Sequence, residues 1–529
     1  MSAALLPGLL SLGTLLLGLL GGLHPWVVRA LLLGVGLWAA RRIPWGGLKT
    51  LRLDGLGLFH AALATLLVVP MAAGLLVLPS DYDALEYHLG APAAYVRQGK
   101  ISRLPDDRYA SMPANQEMLY LLGLAATGSQ AAGAAAAKGI NLAFWLLAAW
   151  AVLDLGRRHG SARAGAWGAL ALLASPWVLL TGGWLVYNEP GLALYSTLAF
   201  AAAFDAWKNR ARKEALLSGI LAGLAFGTKY PAALFLILPL AAVLEFRRLA
   251  LPFALGALLT ASPWLAKNLI ETGNPVFPLL AGDAKWDAAH APGAMDLAAL
   301  WNSLGNLGSG MLVAPALLVF LLFGWKREEG RTFRKAVLLW AGLGVLLWFA
   351  CTHRVDRFCL PFLPLVCLAV GFGVEAIEPW VGRSVMTAVV LLSAGEGLRM
   401  AAEALPKRDN PWKGSNATYS PEAIAAVNAL PAGSRVLFVG EAETFYVRLD
   451  GRVKVLAPTV FDEKPLDLRG FTHVYVNLPE LHRLQSTYGD RVHGYSEMIT
   501  DEILEGLETS GKARRIWQAG GGRWRILAL

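Results

Sequence analysis

Apolar residues run along this chain in stretches of bilayer-spanning or near-spanning length, separated by short polar segments. A membrane-crossing helix needs about 20 mostly apolar residues. Gly55–Leu78, Ala336–Ala350 and Ser384–Ala402 carry few or no charges over such lengths. A sliding window places about thirteen spans, near 5–22, 25–40, 56–78, 133–154, 165–183, 190–207, 214–228, 231–246, 249–266, 309–324, 336–352, 357–375 and 384–402. The apolar N-terminus lacks a basic leader, and Trp26–Ala40 follows directly, so the pair reads as an uncleaved helical hairpin and not as a signal peptide.

The pattern changes near Leu405. Arg435–Val439, Val453–Leu456 and Thr472–Val476 are rich in β-branched residues and read as strands. Pro421–Leu430 and Glu497–Leu507 read as helices, and Ala513–Gln518 with Arg523–Leu529 as a closing hairpin around Gly520–Gly522. The pattern therefore predicts a polytopic α-helical membrane protein with a small C-terminal α/β domain. Its parts are an N-terminal hairpin with a basic loop (1–54), a membrane body (55–405) and the C-terminal domain (406–529). Gly440 follows a strand, but no GxGxxG accompanies it, so no nucleotide site is assigned.

Composition agrees: 56% of the 529 residues are hydrophobic and 16% are charged, where a soluble domain carries roughly a quarter. The net charge of +9 is no nucleic-acid signal. It sits in short loops: Arg41, Arg42, Lys49 and Arg52; Arg157, Arg158 and Arg163; Lys208, Arg210, Arg212 and Lys213; Lys326, Arg327, Arg331, Arg334 and Lys335. With the spans above, all these clusters fall on one side, which is cytoplasmic by the positive-inside rule. The opposite face of the cell (inner) membrane receives 79–132, 184–189, 267–308, 353–356 and the tail. Cys351, Cys359 and Cys367 form no CxxC pair, so neither zinc nor a disulfide framework is indicated.

That outer face collects the polar residues. In Asp81-Tyr-Asp-Ala-Leu-Glu-Tyr-His-Leu, the spacing of Asp83, Glu86 and Tyr87 puts them on one face of a short helix. Near the membrane surface, desolvation can make Asp83 a better base; a helix N-cap explains the acid equally well. The stretches around Asp106–Tyr109 and Asn115–Leu124 read as helices lying along the outer surface. Asn188-Glu189-Pro190 opens a span. A cap and a first-turn proline account for Asn188 and Pro190, but an acid at membrane depth is costly and faces protein. Lys229, in Gly-Thr-Lys-Tyr-Pro, and Arg354 and Arg357, beside His353, stand on the wrong side for the positive-inside rule. Snorkelling explains one such cation. Several together point to an anion site, and a phosphate would satisfy it.

Taken in order, Asp-x-x-x-Tyr-His-Leu, Tyr-Asn-Glu-Pro, Gly-Thr-Lys-Tyr-Pro, Thr-Gly-Asn-Pro-Val-Phe-Pro and Arg-Phe-Cys-Leu-Pro resemble the bacterial GT-C glycosyltransferases. Protein mannosyltransferases and lipid A aminoarabinose transferases are relatives. The resemblance covers about residues 55–405. It implies a polyprenyl-phosphate-linked sugar donor, a cell-envelope glycan, lipid or protein acceptor, and inversion at the anomeric carbon. It implies a catalytic Asp in the first external loop, matched by Asp83, with Tyr87 four residues on. Many relatives carry a second acid directly after that Asp; Ala84 stands there, and Glu86 follows later. On this reading Lys229, Arg354 and Arg357 balance the leaving phosphate, Glu189 and His88 orient sugar or acceptor, and Glu86, Tyr87, Asn188 and His353 also line the substrate site. No cofactor is called for, and a divalent metal stays open. The rival classes are a transporter or lipid flippase, for which intramembrane charges are equally apt, and a non-catalytic lipid-binding or assembly protein.

Overall fold

A membrane body must satisfy its backbone polar groups internally, and helices do so without partners. In the computed structural model, which describes residues 2–42, 55–281, 290–293, 295–311, 316–324, 330–413, 418–458, 466–488 and 499–529, every apolar stretch predicted to span carries helix. Six of these helices are long and apolar enough to cross a membrane: Gly55–Gly74, Gln130–Arg158, Ala250–Thr272, Arg331–Cys351, Asp356–Ala376 and Trp380–Lys407. The chain is a multi-pass membrane protein. Other stretches are shorter or broken. The stretch 165–183 divides into Ala162–Leu173 and Pro176–Thr181, because Pro176 drives Ser175 into extended backbone (ψ 135°). Helix Leu297–Met311 begins inside a segment that the hydropathy pattern assigned to a loop.

Lipid supplies no hydrophobic drive between helices, so close packing of small residues holds them. Helices Arg212–Phe226 and Ala250–Thr272 meet backbone to backbone. A Cβ on Gly219 would lie 1.9 Å from the Phe253 carbonyl oxygen, and one on Gly256 2.2 Å from that of Leu216.

The basic helix ends gather at one end of the body. Arg158 reaches Asp205 at 2.9 Å, the Arg247 guanidinium lies 4.9 Å over the Trp207 ring, and Gly330 abuts the His159 carbonyl. Lys49, Arg52, Lys326 and Arg327 lie outside the described residues.

The tail folds into one five-stranded sheet, β1 (Arg435–Val439), β2 (Lys454–Leu456), β3 (His473–Asn477), β4 (Arg514–Ala519) and β5 (Trp524–Ala528). The spatial order is β2-β1-β3-β5-β4. β1 pairs in parallel with β2 and β3; β5 runs antiparallel between β3 and β4. The strand and hairpin expectations hold to within a residue or two. Helix Asp501–Thr509 lies where Glu497–Leu507 was expected, its first residues outside the described set. Helix Leu478–Tyr488 was not foreseen.

This sheet is docked onto the first long loop. Ala84, Leu85, Leu89 and Tyr120 share one buried apolar cluster with Ile424, Phe438, Phe445 and Tyr475. Hydrogen bonds to backbone carbonyls fix the seam: Phe445 N–H donates to Leu85 O (3.1 Å), Tyr446 Oη to Pro79 O (2.8 Å) and Gln130 Nε2 to Val447 O (2.8 Å).

Carboxyls are also buried at this seam. Glu86, Glu441, Glu443 and Glu480 are at most 6% exposed. Burial first, and then Glu480, push Glu441 up to about 8 from 4.5. Glu443 and Glu86 are also raised well above the usual carboxylate range, by burial and by neighbouring acids. The docked state therefore holds protons that the undocked state has released between pH 4.5 and about 8. Docking is strongest at the acid end of that window and weakens as pH rises through it. Limited proteolysis of the tail should run slower at pH 5.5 than at pH 8. An equal or faster rate at pH 5.5 would remove the buried acids from the account of docking.

Candidate active site

Asp81, and not Asp83, serves as the cap: its Oδ1 accepts the Ala84 N–H at 3.1 Å. Asp83 makes no side-chain cap hydrogen bond. The turn that follows, Ala84–His88, is π-helical, closed by Leu89 N–H to Ala84 O at 2.8 Å. Such turns are frequent at functional sites. The wider turn changes which residues share a face. Asp83, Tyr87 and His88 line one cavity of about 480 Å³. Glu86 lines another of about 590 Å³, between helix Gly90–Gln98 and the β2 edge. The expected shared face of Asp83, Glu86 and Tyr87 does not form, because the extra residue in the turn swings Glu86 towards the tail.

The charged residues of the first cavity are joined in a chain through Glu189, which is not itself among the lining residues. Arg357 Nη2 contacts Asp83 Oδ2 at 2.6 Å. Its Nε lies 3.4 Å from Glu189 Oε1, and Lys229 Nζ reaches the same oxygen at 2.6 Å. Glu189 is fully buried, as an acid at the mouth of a span must be if its partners come from other helices. Tyr187 carries the Arg357 guanidinium 4.6 Å above its ring, and Phe358 carries Lys229 Nζ at 4.9 Å. Both cations line the cavity. An ammonium has three donors and a guanidinium five, so both residues keep donors for an incoming anion.

A second polar group stands beside this chain. His88 Nδ1 lies 2.7 Å from Glu117 Oε1, and Asn188 Nδ2 donates to that oxygen at 2.8 Å and to Thr228 O at 3.1 Å. Burial, with Lys229 and Arg357 nearby, lowers the His88 imidazole well below its ordinary value and keeps it neutral. Burial pushes Glu117 up to about 8. Tyr87 stacks on Tyr109 with centroids 4.8 Å apart. His353 lines the cavity against His290 and Phe358, and burial brings it down to about 4.

Arg354 is not brought to the site. It adopts left-handed backbone, φ 62°, and its guanidinium donates to Phe349 O (3.0 Å) and Gly293 O (2.9 Å). It is not among the residues lining the cavity. The cation cluster read from the sequence therefore reduces to Lys229 and Arg357.

Glu117 was missed because an acid in the first turn of a helix needs no further explanation. Its helix, Asn115–Thr127, is buried on most sides. Gln116 ties it to the mouth of the span that Glu189 opens, accepting Gly191 N–H at 2.6 Å. Among the described residues no group of three or more His, Cys, Asp or Glu is placed to hold a metal.

Comparison with solved structures decides the architecture. ArnT from Cupriavidus metallidurans bound to undecaprenyl phosphate superposes with a TM-score of 0.63 at 15% identity, over 90% of this chain and 98% of that one. The chain has a GT-C fold. The apo state of the same ArnT gives a TM-score of 0.61 at 15% identity and the same coverage. The archaeal oligosaccharyltransferase AglB from Archaeoglobus fulgidus, in complex with an inhibitory peptide and a dolichol-phosphate, gives 0.47 at 12% identity, over 79% of this chain and 69% of that one. A family profile described as a domain of unknown function (DUF8201) matches residues 140–292. No curated protein matches the sequence significantly. Within the GT-C fold of this chain, the 140–292 segment supplies Asn188, Glu189 and Lys229, and the loop before it supplies Asp83, His88 and Glu117.

Proposed function

We propose that this chain is a membrane glycosyltransferase that moves a sugar from a polyprenyl-phosphate donor to a cell-envelope acceptor. Transfer would take place on the extracytoplasmic face of the cell membrane, with inversion at the anomeric carbon. The observation that carries the reading is the chain Lys229–Glu189–Arg357–Asp83, in which Lys229, Arg357 and Asp83 line one cavity and the buried Glu189 joins the two cations. It sets two cations beside a carboxylate that is not used as a cap. The ArnT with the same fold is bound to undecaprenyl phosphate, a lipid of the class the reading requires.

In this mechanism Asp83 takes the proton of an acceptor hydroxyl as that oxygen bonds to the sugar C1. The C1–O bond to the lipid phosphate breaks on the opposite face. Lys229 and Arg357 balance the charge that develops on the phosphate. Phosphate is already a good leaving group, so no general acid is needed. Residues 55–405 form the catalytic body in this account, 1–54 an N-terminal hairpin and 406–529 an extracytoplasmic domain.

The test is direct. Purified full-length chain, given a panel of radiolabelled polyprenyl-phosphate sugars with cell-envelope fractions, should transfer label and release free polyprenyl phosphate in equal amounts. Reconstituted protein that carries the intact donor across a bilayer without cleaving it would be a flippase, and the reading would fall.

A further inference from the structure

The sequence offered His88, with Glu189, as a group that orients sugar or acceptor, with no atom or partner assigned. The structure builds more around it. Nδ1 faces Glu117 Oε1 at 2.7 Å. Asn188 fixes what that oxygen does. Its Nδ2 also donates to Thr228 O, a backbone carbonyl that can only accept, so the amide orientation is set. Oε1 therefore accepts from Asn188, and once Glu117 is a carboxylate, above about pH 8, that oxygen can only accept, so an Nδ1–H donates to it. The other nitrogen, Nε2, is then a bare lone pair. Nε2 is buried and has no hydrogen-bond partner, while His88 as a whole is 1% exposed and lines the cavity with Asp83, Lys229 and Arg357. A buried acceptor left empty costs free energy that a ligand hydroxyl would recover.

The position of Nε2 narrows the ligand. The imidazole lies 5.3 Å from the Tyr187 ring, over which the Arg357 guanidinium sits at 4.6 Å, and it lines the same cavity as Arg357 and Lys229, so it stands at the end of the cavity where those cations would hold the donor phosphate. The group within a bond or two of that phosphate is the sugar. We propose that His88 Nε2 accepts a hydrogen bond from a hydroxyl of the transferred sugar and so selects donors carrying that hydroxyl, with Glu117 as a positioning residue that fixes the ring tautomer. This rests on the glycosyltransferase reading above.

Two measurements test it. Full-length protein labelled with ¹⁵N-histidine should show, above the Glu117 pKa of about 8 and for the signal lost in His88→Phe, a protonated Nδ1 and an unprotonated Nε2. The reverse tautomer overturns the proposal whatever the protein transfers. Polyprenyl-phosphate sugars and their monodeoxy analogues should then be compared as donors. Wild type should use one analogue roughly 10–100-fold less well than its parent, as expected when a buried acceptor is left unpaired. His88→Phe, which keeps a ring between Tyr87 and Tyr187, should use both equally and poorly. Glu117→Gln can still accept from Nδ1 and should retain the discrimination, whereas Glu117→Leu should lose it. Undiminished discrimination in His88→Phe removes His88 as the selecting group while leaving transfer intact. A wild type that transfers from no donor takes the functional reading down as well.

Discussion

Replacing Asp83 with Asn should slow sugar transfer by about 10²–10⁴-fold, the usual worth of a positioned general base. Asn keeps the shape of the side chain but cannot take the acceptor proton. Binding of the polyprenyl-phosphate donor should change far less, because Lys229 and Arg357 remain. The effect should therefore fall on kcat and not on KM. Asp81→Asn is the internal control. Asp81 caps the turn through Oδ1, an oxygen that Asn also supplies, so transfer should stay near the wild-type rate. An Asp83→Asn enzyme that transfers at the normal rate would mean that another group is the base.

The largest stability effect should come from Glu189. This carboxylate is fully buried and serves both Lys229 and Arg357. Removing one partner of a buried ionic group leaves uncompensated charge and costs about 3–5 kcal/mol. Glu189→Gln should accordingly lower the detergent-solubilised melting temperature markedly. Adding Lys229→Met should recover part of the loss by removing one of the stranded cations. If Glu189→Gln melts like wild type, the cations have found other partners and the charge chain is not a structural unit.

How far could these features be read beforehand? The helical body was legible because lipid imposes long apolar runs, and the outer-face polar groups stood out against them. Asp83, Tyr87, His88, Lys229 and Arg357 were named from the chain alone and meet in one cavity. Glu86 was misplaced by an assumption of 3.6-residue periodicity, and a one-residue widening of a single turn leaves no mark in composition. Arg354 was misplaced because a left-handed φ at a non-glycine residue has no sequence signature. Glu117 hid behind ordinary helix chemistry. The docking of the tail was invisible for another reason: its polar contacts join residues far apart in the chain, Tyr446 and Pro79 being 367 positions apart, and local pattern carries no information at that range.

That separation also constrains biogenesis. The loop bearing Asp83 leaves the ribosome early, whereas the apolar surface that covers Leu85 and Leu89 belongs to a sheet whose interior strand, β5, is the last to be synthesised. β3 and β4 are not joined until β5 lies between them. Non-local pairing of this kind is slow. The loop must therefore wait, uncovered, through the insertion of every later helix. Its finished geometry waits on the synthesis of β5, and a nascent chain stalled before residue 524 would have a membrane body whose loop is not yet covered.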